Sequence, residues 1–338
     1  KNAVLPMLAA SVLTQSPVTV RDCPLISDVD DMILVLRALG VSAVRDGRNV
    51  TVSGAPSLTE IPAHLACAMR SSVFMLGALL AECGEVRLFA PGGCRIGARP
   101  LDIHFDGFSR LGAEVEYGED YVRCTADRLR GADIVLKYPS VGATENLIMA
   151  SVKAQGVTRL IGAAREPEIV SLVALLRKMG AEISGEGTPV VTVRGVDALD
   201  GAAATPVGDR IVAGTVMAAT AVCGGRVEIS GADSSVLGAV ISPFLGAHTF
   251  LVEHGGVIVF ESDGMLSPTD VSTGPYPLFP TDMQAPFMAC QCYASGMSSM
   301  RETVFEDRFA HVGELVKMGA RIALAGNTAF VDGSEGMH

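Results

Sequence analysis

A glycine-rich loop from residue 90 to residue 100 combines one thiol with two guanidiniums, Cys94 with Arg95 and Arg99. Glycines permit backbone angles that other residues avoid, so this segment can move as a lid. Cationic neighbours stabilise a thiolate, which makes Cys94 a candidate nucleophile or proton donor. Most cysteines are small buried hydrophobes. A Gly-Gly-Cys-Arg turn is a poor place for a core residue, so the sequence predicts a reactive thiol.

The composition excludes two classes of protein. The chain has 338 residues and a net charge of −11, which allows two domains and disfavours a nucleic-acid binder. The apolar fraction is 49%. The longest apolar runs, such as residues 211–223, contain Gly and Thr and are shorter than a membrane span. We therefore expect no membrane insertion and interpret these runs as deeply buried helices.

The cysteines indicate a reducing compartment. Eight of them are scattered through apolar segments, with no metal-type spacing and no secretory signal. This pattern predicts free thiols, a cytoplasmic protein and no metal or redox cofactor. Cys290 and Cys292 form the only close pair, and we expect them to pack inside a helix.

A unit of about seventy residues recurs along the chain. Five helices end in Leu-Gly or Met-Gly, and two short alternating strands follow each of them. The glycines are Gly40, Gly112, Gly180, Gly246 and Gly319. A second class of helix ends near Gly84, Gly156, Gly225 and Gly296. Each is followed by a short β-rich run, and these runs predict strands at 86–89, 157–161, 227–229 and 300–304. Each unit therefore reads helix, strand, helix, strand, strand, and a further strand leads into the next unit.

The repeats predict an α/β (α+β) fold in which units pack in threes around a common axis. Five copies are present, so we expect a sixth copy beyond residue 338 and a leading strand before Lys1. The Gly- and Ala-rich stretch at 201–208 is the best boundary. Residues 1–207 would form a three-repeat domain that carries the Cys94 loop, and residues 208–338 two thirds of a second domain.

We call the first helix of each unit its inner helix, and the helix that ends in Leu-Gly or Met-Gly its outer helix. Polar residues mark the starts of the inner helices. Helix capping explains Thr144, Asp209 and Asp282. It does not explain Lys1 or Arg210, because a cation at a helix N-terminus opposes the macrodipole. If the repeats are pseudosymmetric, these ends converge on one cleft between the domains. Such a cleft would suit phosphate and carboxylate groups.

Seven motifs together carry a family resemblance. They are Lys-Asn-Ala-Val-Leu-Pro at 1–6, Pro-Gly-Gly-Cys-Arg-Ile-Gly-Ala-Arg-Pro-Leu-Asp at 91–102, Ser-Val-Gly-Ala-Thr-Glu-Asn at 140–146, Ala-Arg-Glu-Pro-Glu-Ile at 164–169, Asp-Arg-Ile at 209–211, Phe-Pro-Thr-Asp-Met-Gln-Ala at 279–285 and Glu-Thr-Val-Phe-Glu-Asp-Arg-Phe at 302–309. Along its whole length the chain resembles the UDP-N-acetylglucosamine enolpyruvyl transferases. The cysteine loop separates that family from the shikimate-pathway enolpyruvyl transferases, which share the six-unit fold.

The resemblance implies a two-domain inside-out α/β barrel that closes on UDP-N-acetylglucosamine and then phosphoenolpyruvate. The sugar 3′-hydroxyl adds to C2 of the enol, and phosphate leaves from the tetrahedral ketal. This reaction is the first committed step of peptidoglycan synthesis. No cofactor is implied, and the partners are the two small-molecule substrates.

The resemblance also implies residue roles. Cys94 would be the general acid, able to form an adduct with phosphoenolpyruvate and to be alkylated by fosfomycin, and Asp282 would receive the hydroxyl proton. The groups around phosphoenolpyruvate would be Lys1, Asn2, Arg70 and Arg99. The groups around the nucleotide sugar would be Pro100, Leu101, Asp102, Ile103, Ser140, Val141, Gly142 and Val304.

Other charged residues favour a structural interpretation. Arg165, Glu166 and Glu168 are typical of a helix-start charge cluster, and we expect His104 to pack or hydrogen-bond rather than act as a base. Asp307 stands where the family pattern has asparagine.

The Tyr138-Pro139 pair, which precedes the predicted diphosphate contacts, varies within the family. The last repeat of the family supplies further arginines, so we expect this fragment to release phosphate poorly and the full gene product to be active. A shikimate-type transferase and a non-catalytic UDP-sugar-binding paralogue are the alternatives.

Overall fold

The computed structural model describes residues 1–89, 100–334 and 337. The chain divides between Val207 and Gly208 into two compact units. Each unit has its own core of buried aliphatic and aromatic side chains.

The first unit contains three repeats. The first consists of α1 (Val4–Ala10), β1 (Val18–Val20), α2 (Ser27–Ala38), β2 (Ser42–Asp46) and β3 (Asn49–Ser53). The second consists of β4 (Glu60–Ile61), α3 (Ala63–Ala68), α4 (Met75–Cys83), β5 (Glu85–Phe89), α5 (Asp102–Arg110), β6 (Glu114–Tyr117) and β7 (Tyr121–Thr125). The third consists of β8 (Asp133–Val135), α6 (Val141–Ser151), β9 (Val157–Ile161), α7 (Pro167–Lys178), β10 (Glu182–Ser184) and β11 (Val190–Arg194), and β12 (Ala203–Ala204) follows it.

The second unit contains two repeats. The fourth of the chain consists of α8 (Arg210–Cys223), β13 (Gly225–Ser230), α9 (Gly238–Ile241), β14 (Thr249–His254) and β15 (Val257–Ser262). The fifth consists of β16 (Val271–Ser272), α10 (Gln284–Gln291), β17 (Met297–Arg301), α11 (Val312–Lys317), β18 (Arg321–Ala325) and β19 (Thr328–Asp332).

Each repeat forms its own sheet. Within the described ranges there are five sheets, and none closes into a barrel. In four of them a short parallel edge strand pairs with the strand after the inner helix, and an antiparallel hairpin completes the sheet, as in the order β4-β5-β7-β6. In the first sheet β12 takes the place of the parallel edge strand. The parallel edge strand of the first sheet thus comes from the end of the third repeat. The leading strand expected before Lys1 stays a prediction.

Glycines end the outer helices as the repeat pattern predicts. Gly40, Gly112, Gly180 and Gly319 all have a positive φ, between 85° and 103°. Only glycine adopts this left-handed conformation without steric cost, so it terminates a helix and redirects the chain into the hairpin. Gly246 has no positive φ among the described backbone angles. Its helix is the short α9 followed by a 3-10 turn.

The inner helices differ in burial between the two units. In the first unit every residue of α6 from Ala143 to Ser151 is buried. In the second unit α8 packs on α10, but Val212 is 60% exposed and Val216 is 37% exposed. The prediction that residues 211–223 are deeply buried is therefore wrong for one face of α8. The described second unit holds two inner helices, which leaves that face uncovered.

Among the described residues every helix is too short or too polar to reach across a lipid bilayer.

Candidate active site

Two helix N-termini lie side by side in the first unit. A Cβ added to Gly142, in the first turn of α6, would lie 3.5 Å from Cε1 of His104, the third residue of α5. Gly107 permits this crossing, because a Cβ there would lie 2.4 Å from the Leu147 side chain. Ser140 caps α6 by accepting a hydrogen bond from the Ala143 amide at 3.4 Å. The His104 and Phe105 amides donate to the Leu101 carbonyl oxygen, and the Thr144 amide donates to that of Ser140. The amides that come before them in each first turn have no carbonyl of their own helix to bond, which suits an anion.

Asn146 connects these helices to the segment that begins with Arg70. Its Oδ1 accepts a hydrogen bond from the Gly77 amide at 2.7 Å. Its Nδ2 lies 3.1 Å from the Val73 carbonyl oxygen, 3.2 Å from His104 Nδ1 and 3.2 Å from the Gly142 carbonyl oxygen. The buried carboxamide of Asn146 therefore fixes the start of α6, the His104 ring on α5 and the 3-10 turn Arg70–Phe74.

His104 is neutral at this site. Burial, and after it the charge of Arg70, lower the pKa of His104 to about 3. Because Asn146 Nδ2 is a donor, the facing His104 Nδ1 is an acceptor and the ring proton is on Nε2. The ring is 5% exposed and hydrogen-bonded, as the sequence predicts. Arg70 is the permanent cation beside the two helix N-termini.

The remaining predicted residues of the first unit lie at the starts of helices. Lys1 and Asn2 precede α1, and Lys1 Nζ lies 3.5 Å from Asp28 Oδ1. Pro100 and Asp102 are exposed and Leu101 and Ile103 are half-buried, all at the start of α5. Val141 is half-buried beside Gly142.

Asp282 is held by a cation in the second unit. It lies in the 3-10 turn Thr281–Met283 that leads into α10. Its Oδ1 accepts a hydrogen bond from Arg308 Nη2 at 2.6 Å, and the Asp282 side chain is 47% exposed. Arg308 also lies over the Phe305 ring, 5.4 Å from its centroid. The arrangement is a carboxylate open to solvent and oriented by a guanidinium.

The capping predictions have three different outcomes. Asp209 caps α8, accepting hydrogen bonds from the Ile211 amide at 2.9 Å and the Val212 amide at 3.1 Å, so that prediction is confirmed. Thr144 does not cap α6, because its hydroxyl accepts from the Ala164 amide at 3.0 Å. Asp282 pairs with Arg308 and caps no helix among the described residues.

Three carboxylic acids are buried together behind α6. Glu145 is fully buried, and Glu166 and Glu168 are 5% and 6% exposed. Neither carboxyl oxygen of Glu145 has a hydrogen-bond partner within the described part of the chain. Burial, then the charges of Glu168 and Glu166, raise the pKa of Glu145 well above its ordinary value. Glu166 and Glu168 lie at the start of α7, as the sequence predicts, but they are buried and not solvated.

The described cysteines are free thiols, and most are protected. Burial raises the pKa of Cys23 and Cys292 to about 11 and that of Cys124 and Cys290 to about 12. Cys290 donates to the carbonyl oxygens of Ala218 in α8 and Pro286 in α10, and Cys292 donates to that of Met288 in α10, so their predicted packing role is confirmed. No cluster of metal-binding side chains occurs in the described ranges.

The predicted reactive loop lies outside the described residues. Cys94, Arg95 and Arg99 all fall in this part of the chain. Their roles remain predictions from the sequence.

The comparisons with known proteins identify the family. A family model described as EPSP synthase (3-phosphoshikimate 1-carboxyvinyltransferase) matches residues 1–336. A UDP-N-acetylglucosamine 1-carboxyvinyltransferase 2 from Carboxydothermus hydrogenoformans is 43% identical over 341 residues, which span 100% of this chain and 81% of the relative. A UDP-N-acetylglucosamine 1-carboxyvinyltransferase from Desulfatibacillum aliphaticivorans is 45% identical over 334 residues, 98% of this chain and 80% of the relative. The chain belongs to the UDP-N-acetylglucosamine 1-carboxyvinyltransferase family.

Solved structures confirm the enolpyruvyl transferase fold. The enolpyruvyl transferase NikO from Streptomyces tendae matches with a TM-score of 0.87 and 24% identity, over 98% of this chain and 80% of that one. An EPSP synthase from Acinetobacter baumannii matches with a TM-score of 0.70 and 18% identity, over 99% of this chain and 80% of that one. The predicted fold class is thus confirmed. The relatives named above are transferases, so the chain belongs to a family of enzymes.

Glu145, Asn146 and Glu302 lie within the family motifs, but the sequence assigns a role to none of them. Their polar types within apolar or small surroundings were the available signal, since buried polar groups require partners. What those partners are depends on segments far away in sequence.

We expect Asn146→Ala to destabilise the first unit. The substitution leaves the Gly77 amide and His104 Nδ1 without their partner, and a buried unsatisfied polar group costs about 1–3 kcal/mol. The free energy of unfolding in urea should fall by about 3 kcal/mol or more. The matched control is Asn49→Ala at the exposed start of β3, with an expected change within about 0.5 kcal/mol. Equal losses in both variants would contradict the assignment.

We expect Glu145→Gln to remove a pH dependence of stability. A carboxyl group whose pKa is higher in the folded than in the unfolded protein stabilises the fold while it is protonated. This contribution is fully present below the unfolded pKa of about 4.3 and is lost as the pH rises towards the folded pKa. Over that interval the wild type loses up to about 1.4 kcal/mol per pH unit through this group. Glutamine does not ionise, so the difference in Tm between Glu145→Gln and the wild type should grow from pH 5 to pH 8. The control, Glu114→Gln on exposed β6, should show no such trend.

Proposed function

We propose that this chain transfers the enolpyruvyl group of phosphoenolpyruvate to the 3′-hydroxyl of UDP-N-acetylglucosamine, with release of phosphate. The hydroxyl oxygen bonds to C2 of the enol, and C3 gains a proton, which gives a tetrahedral ketal. The bond from C2 to the phosphate oxygen then breaks, and C3 loses a proton to restore the enol ether. The product is an enolpyruvyl ether of the nucleotide sugar.

Asp282 and Cys94 carry the protons in this proposal. The open carboxylate of Asp282, fixed by Arg308, takes the proton of the sugar hydroxyl as it attacks. Cys94 delivers the proton to C3 and can bond to phosphoenolpyruvate. Both proton transfers require the side chain to lie within hydrogen-bond reach of the reacting atom. A side-chain pKa close to the working pH is the second requirement of general acid–base catalysis.

The anionic parts of the substrates call for donors and cations. The start of α6 at Ser140, Val141 and Gly142 offers amides to the diphosphate, and the start of α5 at residues 100–103 lies beside it for the uridine. Arg70, Lys1, Asn2 and Arg99 surround phosphoenolpyruvate and stabilise the charge that develops during the reaction. Val304 contacts the sugar.

One observation carries the proposal. The relatives named above share the acceptor sugar nucleotide in their printed names and match this chain at 43–45% identity over nearly its full length. The paired helix N-termini support it physically, because helix N-termini bind phosphate groups such as those of a nucleoside diphosphate. The free thiols are consistent with a cytoplasmic location.

The test is phosphate release from phosphoenolpyruvate with different acceptors. The full gene product should release phosphate with UDP-N-acetylglucosamine and not with shikimate 3-phosphate. The product should be the enolpyruvyl ether of the sugar nucleotide by mass spectrometry. Absence of turnover with UDP-N-acetylglucosamine would refute the proposal.

The shikimate-type transferase is the second candidate, because the matching family model bears that description. Turnover with shikimate 3-phosphate alone would establish it. Binding of UDP-N-acetylglucosamine without turnover, and without a fosfomycin adduct at Cys94, would instead favour a non-catalytic paralogue.

A further inference from the structure

We propose that Glu302 is a positioning residue for the transfer reaction, holding the turn that carries Asp282 and the loop that carries Val304 in one fixed arrangement. The inference rests on the proposed function, which uses Asp282 as the base and Val304 against the sugar. It adds a residue that touches neither substrate and acts through both segments.

The Glu302 carboxylate shapes its own loop. Its Oε1 accepts hydrogen bonds from the Val304 amide at 2.8 Å and the Phe305 amide at 3.2 Å. The sequence predicts a strand over 300–304, but β17 ends at Arg301. The prediction is wrong because a side chain, rather than a neighbouring strand, binds the amide of Val304. The chain therefore leaves the sheet at Glu302, and residues 303–308 form a loop.

The same carboxylate reaches the turn of Asp282. Its Oε2 accepts a hydrogen bond from Thr281 Oγ1 at 2.9 Å, one residue before the proposed base. Its Oε1 also accepts from Thr273 Oγ1 at 2.9 Å, just after β16. Thr273 Oγ1 in turn accepts from the Thr303 amide at 2.9 Å. Three segments distant in sequence thus meet at one group.

Burial makes this connection rigid. Glu302 is 3% exposed and Thr273 is 2% exposed, so water competes little for these hydrogen bonds. A buried carboxylate that accepts four hydrogen bonds from neutral donors is well satisfied, and charge-assisted hydrogen bonds are about twice as strong as neutral ones. Rigid support of this kind keeps a reacting group within the narrow range that catalysis tolerates.

Arg308 completes the arrangement. It stands in the loop that Glu302 shapes and donates to Asp282 at 2.6 Å. Asp282 is therefore tied to Glu302 by two routes, through Thr281 on its own turn and through Arg308 on the facing loop. Loss of the Glu302 carboxylate loosens both routes together.

The test compares Glu302→Ala with Glu302→Gln in the full gene product. Glu302→Ala should lower kcat about 10- to 100-fold, because a displacement of about 1 Å at a reacting group costs up to about 100-fold. Glu302→Gln should stay within about threefold of the wild type, since its oxygen can accept from the amides and its NH₂ can donate to Thr281, whose hydroxyl can reverse its role. The KM for phosphoenolpyruvate should change little in both variants, because every contact assigned to that substrate lies outside this loop.

Two further variants keep the test decisive if Glu302→Ala fails to fold. Thr281→Val removes only the hydroxyl that bonds Oε2 and should lower kcat about three- to tenfold, a loss of one hydrogen bond of about 1 kcal/mol. Thr220→Val on α8 removes a hydroxyl that donates to the Val216 carbonyl oxygen of the same helix at 2.9 Å, and this matched control should leave kcat unchanged.

Separate outcomes distinguish the inference from the function. If the wild type releases no phosphate, the proposed function fails. If the wild type is active and Thr281→Val and folded Glu302→Ala retain wild-type kcat, the positioning role is overturned and the function stands. A fall in activity that only follows the unfolded fraction, measured by thermal unfolding of each variant, would also overturn it.

Discussion

Asp282→Asn should lower kcat for phosphate release by about 10²- to 10⁴-fold, the usual contribution of general base catalysis. Asparagine retains an oxygen that can accept from Arg308, so the turn before α10 should keep its conformation. What is lost is the capacity to take up the proton of the attacking hydroxyl. Steady-state kinetics with both substrates would give the change, and binding of UDP-N-acetylglucosamine by calorimetry would show whether the site is intact.

The matched control for this variant is Asp307→Asn. Asp307 is an exposed carboxylate in the same loop as Arg308, and the substitution makes the same change in charge. We expect kcat within about twofold of the wild type, because a surface substitution of this kind changes stability by only about 0.5 kcal/mol. Equal losses in the two variants would assign the effect of Asp282→Asn to charge rather than to a catalytic role.

Cys94→Ala should lower kcat by a similar factor, about 10²- to 10⁴-fold, because it removes the proposed proton donor to C3. It should also abolish covalent modification by fosfomycin, measured by mass spectrometry of the intact protein and of its peptides. The sequence predicts this reactivity, because Arg95 and Arg99 in the same loop would stabilise the thiolate.

The other thiols provide the control for Cys94. Cys67 and Cys223 are exposed, and Cys67→Ser and Cys223→Ser should leave kcat unchanged. Cys23, Cys124, Cys290 and Cys292 are buried, and their raised pKa values keep them protonated at neutral pH. Iodoacetamide at neutral pH should therefore label residues 94, 67 and 223 first. Fosfomycin labelling at a residue other than Cys94 would contradict the assignment.

The two ionisable groups next to the first-unit helices affect stability in opposite directions. The lowered pKa of His104 removes stability as the pH falls below about 6.5, while the raised pKa of Glu145 removes stability as the pH rises above about 4.3. Single variants separate the two, which a pH titration of the wild type does not. This is why the glutamine substitution at residue 145 is compared at several pH values.

The repeat architecture could be predicted from the sequence because its signals are local. A glycine with a positive φ ends a helix wherever it stands, and Gly40, Gly112, Gly180 and Gly319 do so here. Alternating apolar residues likewise predict the hairpins, and the bounds of β9 at Val157–Ile161 match the predicted strand. The motifs that carry the family resemblance are also local, so the family could be proposed without coordinates.

Local patterns also misled where a distant segment decides the outcome. Thr144 and Asp282 have the residue type of a helix cap, but their hydrogen bonds go to Ala164 and Arg308, 20 and 26 residues away in sequence. Residues 302–304 read as a strand, but the Glu302 side chain binds the amide that a neighbouring strand would have bound. In each case a tertiary partner replaced the local one.

The repeating unit, the places where helices end, and the residue types that acid–base chemistry and anion binding require all follow from the amino-acid sequence alone. The packing of distant segments is needed to show that Asn146 joins three elements, that Glu145 is buried with no hydrogen-bond partner among the described residues, and that Glu302 connects the turn of Asp282 to the loop of Val304. The physical reason is that a helix end depends on the backbone angles of a few consecutive residues. The partner of a buried polar group depends instead on which distant segments pack against it.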